Sequence, residues 1–125
     1  MNVAIIAAAG QGTRMGGKRA KQFLELAGIP IIIHTLQAFE TCEAIQEIIL
    51  VLPEADVRGF SAVARPYKLE KVRAVVPGGV TRASSVLNGL RAVQASDNDI
   101  VVVHDGSRPL VTSVEITRTV QAAEV

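Results

Sequence analysis

The chain has 125 residues, enough for one domain, and a domain of about 100 to 150 residues buries roughly two-thirds of its unfolded surface. Hydrophobic residues make up 49% and charged residues 20%, with three Phe, one Tyr and no Trp, so the core must come from Val, Ile, Leu and Ala, as suits a parallel α/β sheet buried on both faces. A net charge of +1 excludes the long-range field that would hold nucleic acid or an anionic membrane against physiological salt, so any anion site must be local.

Met1 to Gly10 is apolar but carries no basic leader and is too short for a signal sequence with its cleavage site. No uninterrupted apolar run approaches the roughly 20 residues of a membrane span. The single Cys42 can close no internal disulfide and reads as a buried structural thiol, so a soluble protein of the reducing cytoplasm is expected.

The first predicted strand, Val3 to Ala8, runs into the strongest chemical signal, the segment from Ala8 to Lys21. Glycines at 10, 12, 16 and 17 permit positive φ and let backbone N–H groups approach an anion closely. Arg14, Lys18, Arg19 and Lys21 bring four positive charges within eight residues, with no acid before Glu25, and phosphate is the anion this implies. Two nucleotide motifs almost fit. Gly10-x-Gly12 opens a dinucleotide fingerprint, but Met15 stands at its third glycine position and no acid ends the second strand. Gly12 to Lys18 has the spacing of a P-loop, yet Arg19 replaces the Ser or Thr that would meet magnesium. The plain alternative is a basic connector without a ligand.

A helix over Pro30 to Thr41 places Ile32, Leu36 and Phe39 on one face, with proline tolerated in the first turn. His34 beside those apolar residues reads as structural. The second strand is Glu47 to Leu52, followed by a helix that opens near Glu54 and ends over Ser61 to Tyr67. The third strand, Val72 to Val76, leads into Pro77-Gly78-Gly79-Val80-Thr81-Arg82-Ala83-Ser84-Ser85, where small residues leave room for a flat base and the next helix should aim its amides at the carboxyl edge of the sheet. Plain turn glycines, and an ordinary first-turn role for Ser85, are the alternatives. That helix, Thr81 to Gln94, is expected to stack Val86, Leu90 and Val93.

The fourth strand, Ile100 to His104, ends in His104-Asp105-Gly106-Ser107-Arg108-Pro109. Asp105 could hold a hard cation and Arg108 a phosphate; an Asp-Gly turn with a local Asp105–Arg108 ion pair is the alternative. His104 is expected to orient the strand end or Asp105, while Asp97 and Asp99 fall at the opposite end of the sheet. The last helix, Val114 to Val125, turns Ile116 and Val120 inward.

This βαβ rhythm predicts a doubly wound, mostly parallel sheet with helices on both faces, Rossmann-like, in the order 3-2-1-4. Ile100 to Val103 would then lie at an open edge although it reads as a central strand, and the last helix carries no glycine stop signal. Further strands or a partner chain are expected to cover that edge, and the chain is expected to be truncated.

Together AAAGQGTRM, KQF, PGGVTRASSV and HDGSRP resemble the 2-C-methyl-D-erythritol 4-phosphate cytidylyltransferase family, in order from residue 3 to about residue 111. GxGxRM alone recurs widely among nucleotidyltransferases; the other three segments make the likeness specific. The resemblance implies that residues 1–125 are the nucleotide-binding portion of one nucleotidyltransferase domain, which joins CTP and a sugar-alcohol phosphate with Mg2+ and releases pyrophosphate. It implies that Arg14 and Lys21 grip the triphosphate and stabilise the transition state. Ala8, Ala9, Gly10, Gly79 and Ser85 would frame cytosine, Gly12 would belong to the nucleotide loop, Asp105 would bind the metal, and Arg108 would lie near the phosphates. A homodimer is implied as well. Ala20 stands where the family usually has proline, and Val80 stands where some relatives have an acid, which leaves more of cytosine recognition to Gly79 and Ser85. A ribitol 5-phosphate cytidylyltransferase and an inactive nucleotide-binding or dimerising module are the competing readings.

Overall fold

The computed structural model describes residues 1–9, 23–94, 96 and 98–124, so Gly10, Gly12, Arg14, Lys21 and Asp97 lie outside the described residues. In chain order the elements are β1 (Asn2–Ala7), the short strands β2 (Glu25–Leu26) and β3 (Ile29–Pro30), α1 (Ile31–Glu40), β4 (Glu47–Leu52), α2 (Glu54–Val57), α3 (Phe60–Ala64), β5 (Val72–Pro77), α4 (Arg82–Ala92), β6 (Ile100–Asp105) and α5 (Ser113–Ala123). β1, β4, β5 and β6 form a parallel sheet in the order β5-β4-β1-β6, which is the predicted 3-2-1-4.

The continuous apolar runs of β1 and β4 follow from burial on both faces. Alternate side chains serve two cores. Ala4, Ile6, Ile48, Leu50 and Leu52 pack with α1 and α5, whereas Val3, Ile5, Ile49 and Val51 pack on the α4 side. Each fully buried isoleucine contributes about 1.5–3 kcal/mol, so these two central strands are the rigid floor beneath the loops at their carboxyl ends. Ile32, Leu36 and Phe39 of α1 and Ile116 and Val120 of α5 are buried as their spacing predicts. Cys42 is buried too, and its Sγ donates to the Ser113 carbonyl at 3.8 Å, linking the end of α1 to the start of α5.

Three local expectations need correction. The helix expected from Glu54 to Tyr67 is α2, α3 and a 3-10 turn at Arg65–Tyr67, broken at Gly59 and again by Pro66, whose ring removes a backbone donor. In α4 the buried residues are Ser85 and Gly89, while Leu87 and Leu90 are exposed and Val86 is half-buried. The reason is proximity: a Cβ on Gly89 would come within 2.8 Å of Ile5 Cγ2, so α4 lies too close to the sheet for large side chains on its contact stripe. The β2–β3 hairpin was not foreseen. Its two turn residues, Ala27 at φ 56° and Gly28 at φ 80°, both take the left-handed conformation that a two-residue hairpin requires.

Strand β6 pairs with β1 and with no other strand among the described residues, and Val103 is 41% exposed, as the open-edge expectation requires. No helix among the described residues is long and apolar enough to cross a membrane.

Candidate active site

Strand order reverses at β1, between β4 on one side and β6 on the other, and this switch point is where open α/β sheets leave a crevice at their carboxyl ends. Three backbone hydrogen bonds carry the ladder just past the strand ends. Ala8 N–H donates to Val51 O (2.8 Å), Gly78 N–H to Leu52 O (2.8 Å) and Gly106 N–H to Ala7 O (2.9 Å). The loops after β1, β5 and β6 are thereby drawn together around a cleft of about 220 Å³ lined by Ala7–Ala9, Arg82, Ser85, Asp105 and Ser107.

Glycine is required at 78 and 79 by space. A Cβ on Gly78 would lie inside contact distance of Ala9 Cβ and 2.8 Å from Ser85 Oγ, and one on Gly79 would run into Ser84. They are more than turn formers. Thr81 caps α4, accepting from Ser84 N–H (3.0 Å) while Ser84 Oγ accepts from Thr81 N–H (2.9 Å). Ser85 is buried on the contact face, and its Oγ accepts from Gly79 N–H at 3.0 Å. That bond occupies the Gly79 donor and leaves the Gly79 carbonyl and the Ser85 hydroxyl proton as the polar groups these two residues can offer.

Asp105 sits opposite Ala7 in the β1–β6 register. Its Oδ1 accepts from both the N–H and the hydroxyl of Ser107, each at 2.9 Å. Arg108 N–H closes the turn onto the Asp105 carbonyl (3.2 Å), while Arg108 Nε stands 4.0 Å from Oδ2 with its side chain 78% exposed. An ion pair this long and this solvated adds little stability. Burial by itself would raise the Asp105 pKa, but the two Ser107 donors and the charges of Arg82 and Arg108 outweigh it and hold the carboxyl below its ordinary 3.8. A depressed folded value means the anion already predominates at pH 3.8 and is lost only as the pH falls through the lower, folded value.

Asp105 therefore offers one ionised oxygen donor, and no group of three His, Cys, Asp or Glu that could hold a metal is gathered among the described residues. A hard cation that takes one carboxylate and completes its shell with phosphate oxygens fits this donor set.

His104 braces the strand end, as predicted, donating from Nε2 to the Arg108 carbonyl (3.3 Å) and packing on Phe39 at a ring distance of 5.1 Å. His34 is structural: its Nε2 donates to the Leu26 carbonyl at 2.7 Å. Asp99 is remote, bound to the amino group of Met1 at 2.7 Å. The cleft thus gathers Ala8, Ala9, Ser85 and Asp105, with Gly79 behind Ser85 and Arg108 beside Asp105. Sequence reasoning passed over Arg82 and Ser107. An arginine in the first turn of a helix was a legible signal for the former, since a cation is disfavoured there; Ser107 needed the folded turn.

Fold and cleft together define a doubly wound α/β domain with a cleft at the switch point of the sheet. More narrowly, the chain belongs to the 2-C-methyl-D-erythritol 4-phosphate cytidylyltransferase family, whose sequence model matches residues 2–125. A protein of Pelotomaculum thermopropionicum bearing that name is 46% identical over 121 residues, 96% of this chain and 50% of the relative. One from Geotalea uraniireducens, of the same name, is 44% identical over 122 residues, covering 96% and 52%. The crystal structure of 4-diphosphocytidyl-2C-methyl-D-erythritol synthase from Anaerococcus prevotii superposes with a TM-score of 0.81 at 30% identity, covering 98% of this chain and 50% of that one. The chain spans about half the length of the curated relatives it matches.

Proposed function

We propose that the complete protein transfers the cytidylyl group of CTP to 2-C-methyl-D-erythritol 4-phosphate, giving CDP-methylerythritol and pyrophosphate. The observation that carries this reading is the convergence of the loops after β1, β5 and β6 on one cleft, in a chain matched by the family from residue 2 to residue 125. Ribitol 5-phosphate as acceptor is not favoured, because both curated relatives above carry the methylerythritol name. Residues 1–125 supply the nucleotide half of the site in this reading. The working protein is a cytoplasmic homodimer.

Cytosine rests between Ala8–Ala9, with Gly10, and Gly79–Ser85. Its exocyclic amine is a donor and its N3 an acceptor, and these complement the Gly79 carbonyl and the Ser85 hydroxyl proton. Arg14 and Lys21, with Gly12 and Arg108, hold the triphosphate. Bound at Asp105, Mg2+ would neutralise charge on the phosphate oxygens. No general base is needed, because a phosphate monoester with a second pKa of about 6 is mostly dianionic near neutrality. The protein's task is to hold two anions together, in line for displacement at the α-phosphorus.

Base selectivity tests the reading. CTP with Mg2+ is expected to raise the melting temperature more than UTP, ATP or GTP at equal concentration, since a ligand that binds only the native state stabilises in proportion to the logarithm of its concentration over Kd. UTP reverses the donor and acceptor at the two positions that Gly79 and Ser85 complement. Equal shifts for all four nucleotides, or the absence of CDP-methylerythritol when the acceptor is added, would remove the proposal.

The carboxylate assignment has its own test. Asp105→Asn keeps the side-chain shape and the Ser107 bonds to oxygen but removes the charge, and is expected to move the Mg2+ concentration for half-maximal activity several-fold upward. In the unaltered protein that concentration should not change with pH between neutrality and pH 5 on account of Asp105, whose carboxyl stays ionised throughout. An unchanged metal titration in the variant would leave Asp105 as a turn residue.

A further inference from the structure

Arg82 is the first residue of α4, where the helix dipole disfavours a cation. No acid sits in the first turn of α4 to offset it, in contrast to α5, which opens with Glu115. Nor does Arg82 take part in any of the ion pairs found within 4.0 Å among the described residues. Within the fold this guanidinium gains only a longer-range attraction to Asp105. Its root is nevertheless fixed, because the reciprocal Thr81–Ser84 cap holds the backbone on either side of it, and its exposed side chain lines the same cleft as Ala8, Ala9, Ser85 and Asp105.

We infer that Arg82 binds the phosphates of the nucleotide, reaching across the cleft from α4 toward the Asp105 side. The inference rests on the reading of the cleft as a CTP site and adds to it a cation from a different part of the chain than Arg14 and Lys21. A guanidinium suits the task because its planar fork meets phosphate oxygens in pairs, and a charge-assisted contact of this kind exceeds a neutral hydrogen bond. Asp105 feels the Arg82 charge in the cleft without nucleotide. With nucleotide bound, phosphate becomes the stronger partner and Asp105 is left to the cation.

The test compares CTP, CMP and cytidine on the complete protein by calorimetry, for the unaltered chain, Arg82→Gln and Arg82→Lys. Losing one hydrogen bond to a charged group, worth about 1.5–3 kcal/mol, predicts that Arg82→Gln weakens CTP by roughly tenfold to a hundredfold while cytidine changes by less than about twofold. Arg82→Lys should recover part of the loss, since it restores the charge but not the fork. The melting temperature of Arg82→Gln without nucleotide should stay close to that of the unaltered chain, because relief of the helix dipole offsets the lost attraction to Asp105. Equal weakening of CTP and cytidine, unchanged CTP affinity, or a markedly lowered melting temperature without nucleotide would each overturn the inference and leave the CTP reading standing. If the unaltered protein binds no CTP, the two fall together.

Discussion

Replacing Arg14 or Lys21 by alanine in the complete protein is expected to lower kcat by at least about a hundredfold, the effect of losing roughly 2.7 kcal/mol of preorganised charge stabilisation. In the proposed transfer, the charge on the reactants sets the barrier. An acceptor phosphate that is already dianionic gains little from acid–base help, so nearly all of the barrier lies in bringing it to a triphosphate and letting pyrophosphate depart. Cations placed where charge develops are then the main catalytic resource, and Arg14 and Lys21 are the two that the proposed function assigns to the triphosphate. Stability should survive, because the flanks of the segment are held by other groups. Ala8 N–H is bonded to Val51 O, Ala9 and Phe23 are buried, Ile31 N–H is bonded to Leu24 O, and His34 anchors Leu26. Steady-state turnover and melting temperature measured on the same preparations check both halves of the expectation. Turnover near normal in either variant would mean that the segment serves only as a connector.

What could be read from the sequence followed the strength of each periodic or compositional signal. The sheet was legible because β1 and β4 must be apolar on both faces and because right-handed crossovers leave few orders for four parallel strands. The inward faces of α1 and α5 were legible for the same reason: Phe39, Ile116 and Val120 are large and sit at helical spacing. α4 defeated that logic. Its contact stripe consists of Ser85 and Gly89, since the helix approaches the sheet closely, and the larger Leu87 and Leu90 were left outside. Hydrophobicity alone cannot distinguish a helix that packs through small residues from one that packs through large ones. The β2–β3 hairpin escaped notice because its turn uses Ala27 at φ 56°, a conformation normally signalled by glycine or asparagine. In the cleft, sequence reasoning supplied the chemistry and the structure supplied the pairing. Ser85 and Asp105 were candidates by residue type, whereas the Gly79–Ser85 bond and the two bonds from Ser107 depend on how loops far apart in the chain meet.

Gly78→Ala should damage both stability and CTP binding, and a compensating change should repair it. The added methyl would fall inside contact distance of Ala9 Cβ and 2.8 Å from Ser85 Oγ. Neither neighbour can yield by swinging a flexible side chain. Ala9 has only its Cβ, on a segment whose Ala8 N–H is fixed to Val51 O, and Ser85 is buried with its Oγ bonded to Gly79 N–H. Relief must come from backbone movement, an overpacking cost of about 1–3 kcal/mol, and that movement parts the two loops that border the cleft. Urea denaturation should therefore show a lower midpoint at an unchanged slope, together with weaker CTP binding. Ala9→Gly in the same chain removes the methyl that is struck, so the double variant is expected to be more stable than Gly78→Ala alone, which is the non-additivity of residues in direct contact. Gly59→Ala is the control: its Cβ would meet nothing within 4 Å and its φ of −80° suits alanine, so that substitution should be neutral or stabilise by about 0.4–1 kcal/mol. If the losses at Gly78 and Ala9 simply added, the close approach of these two loops would not be what requires glycine at position 78, and the backbone contact assigned to the cleft would have to be abandoned.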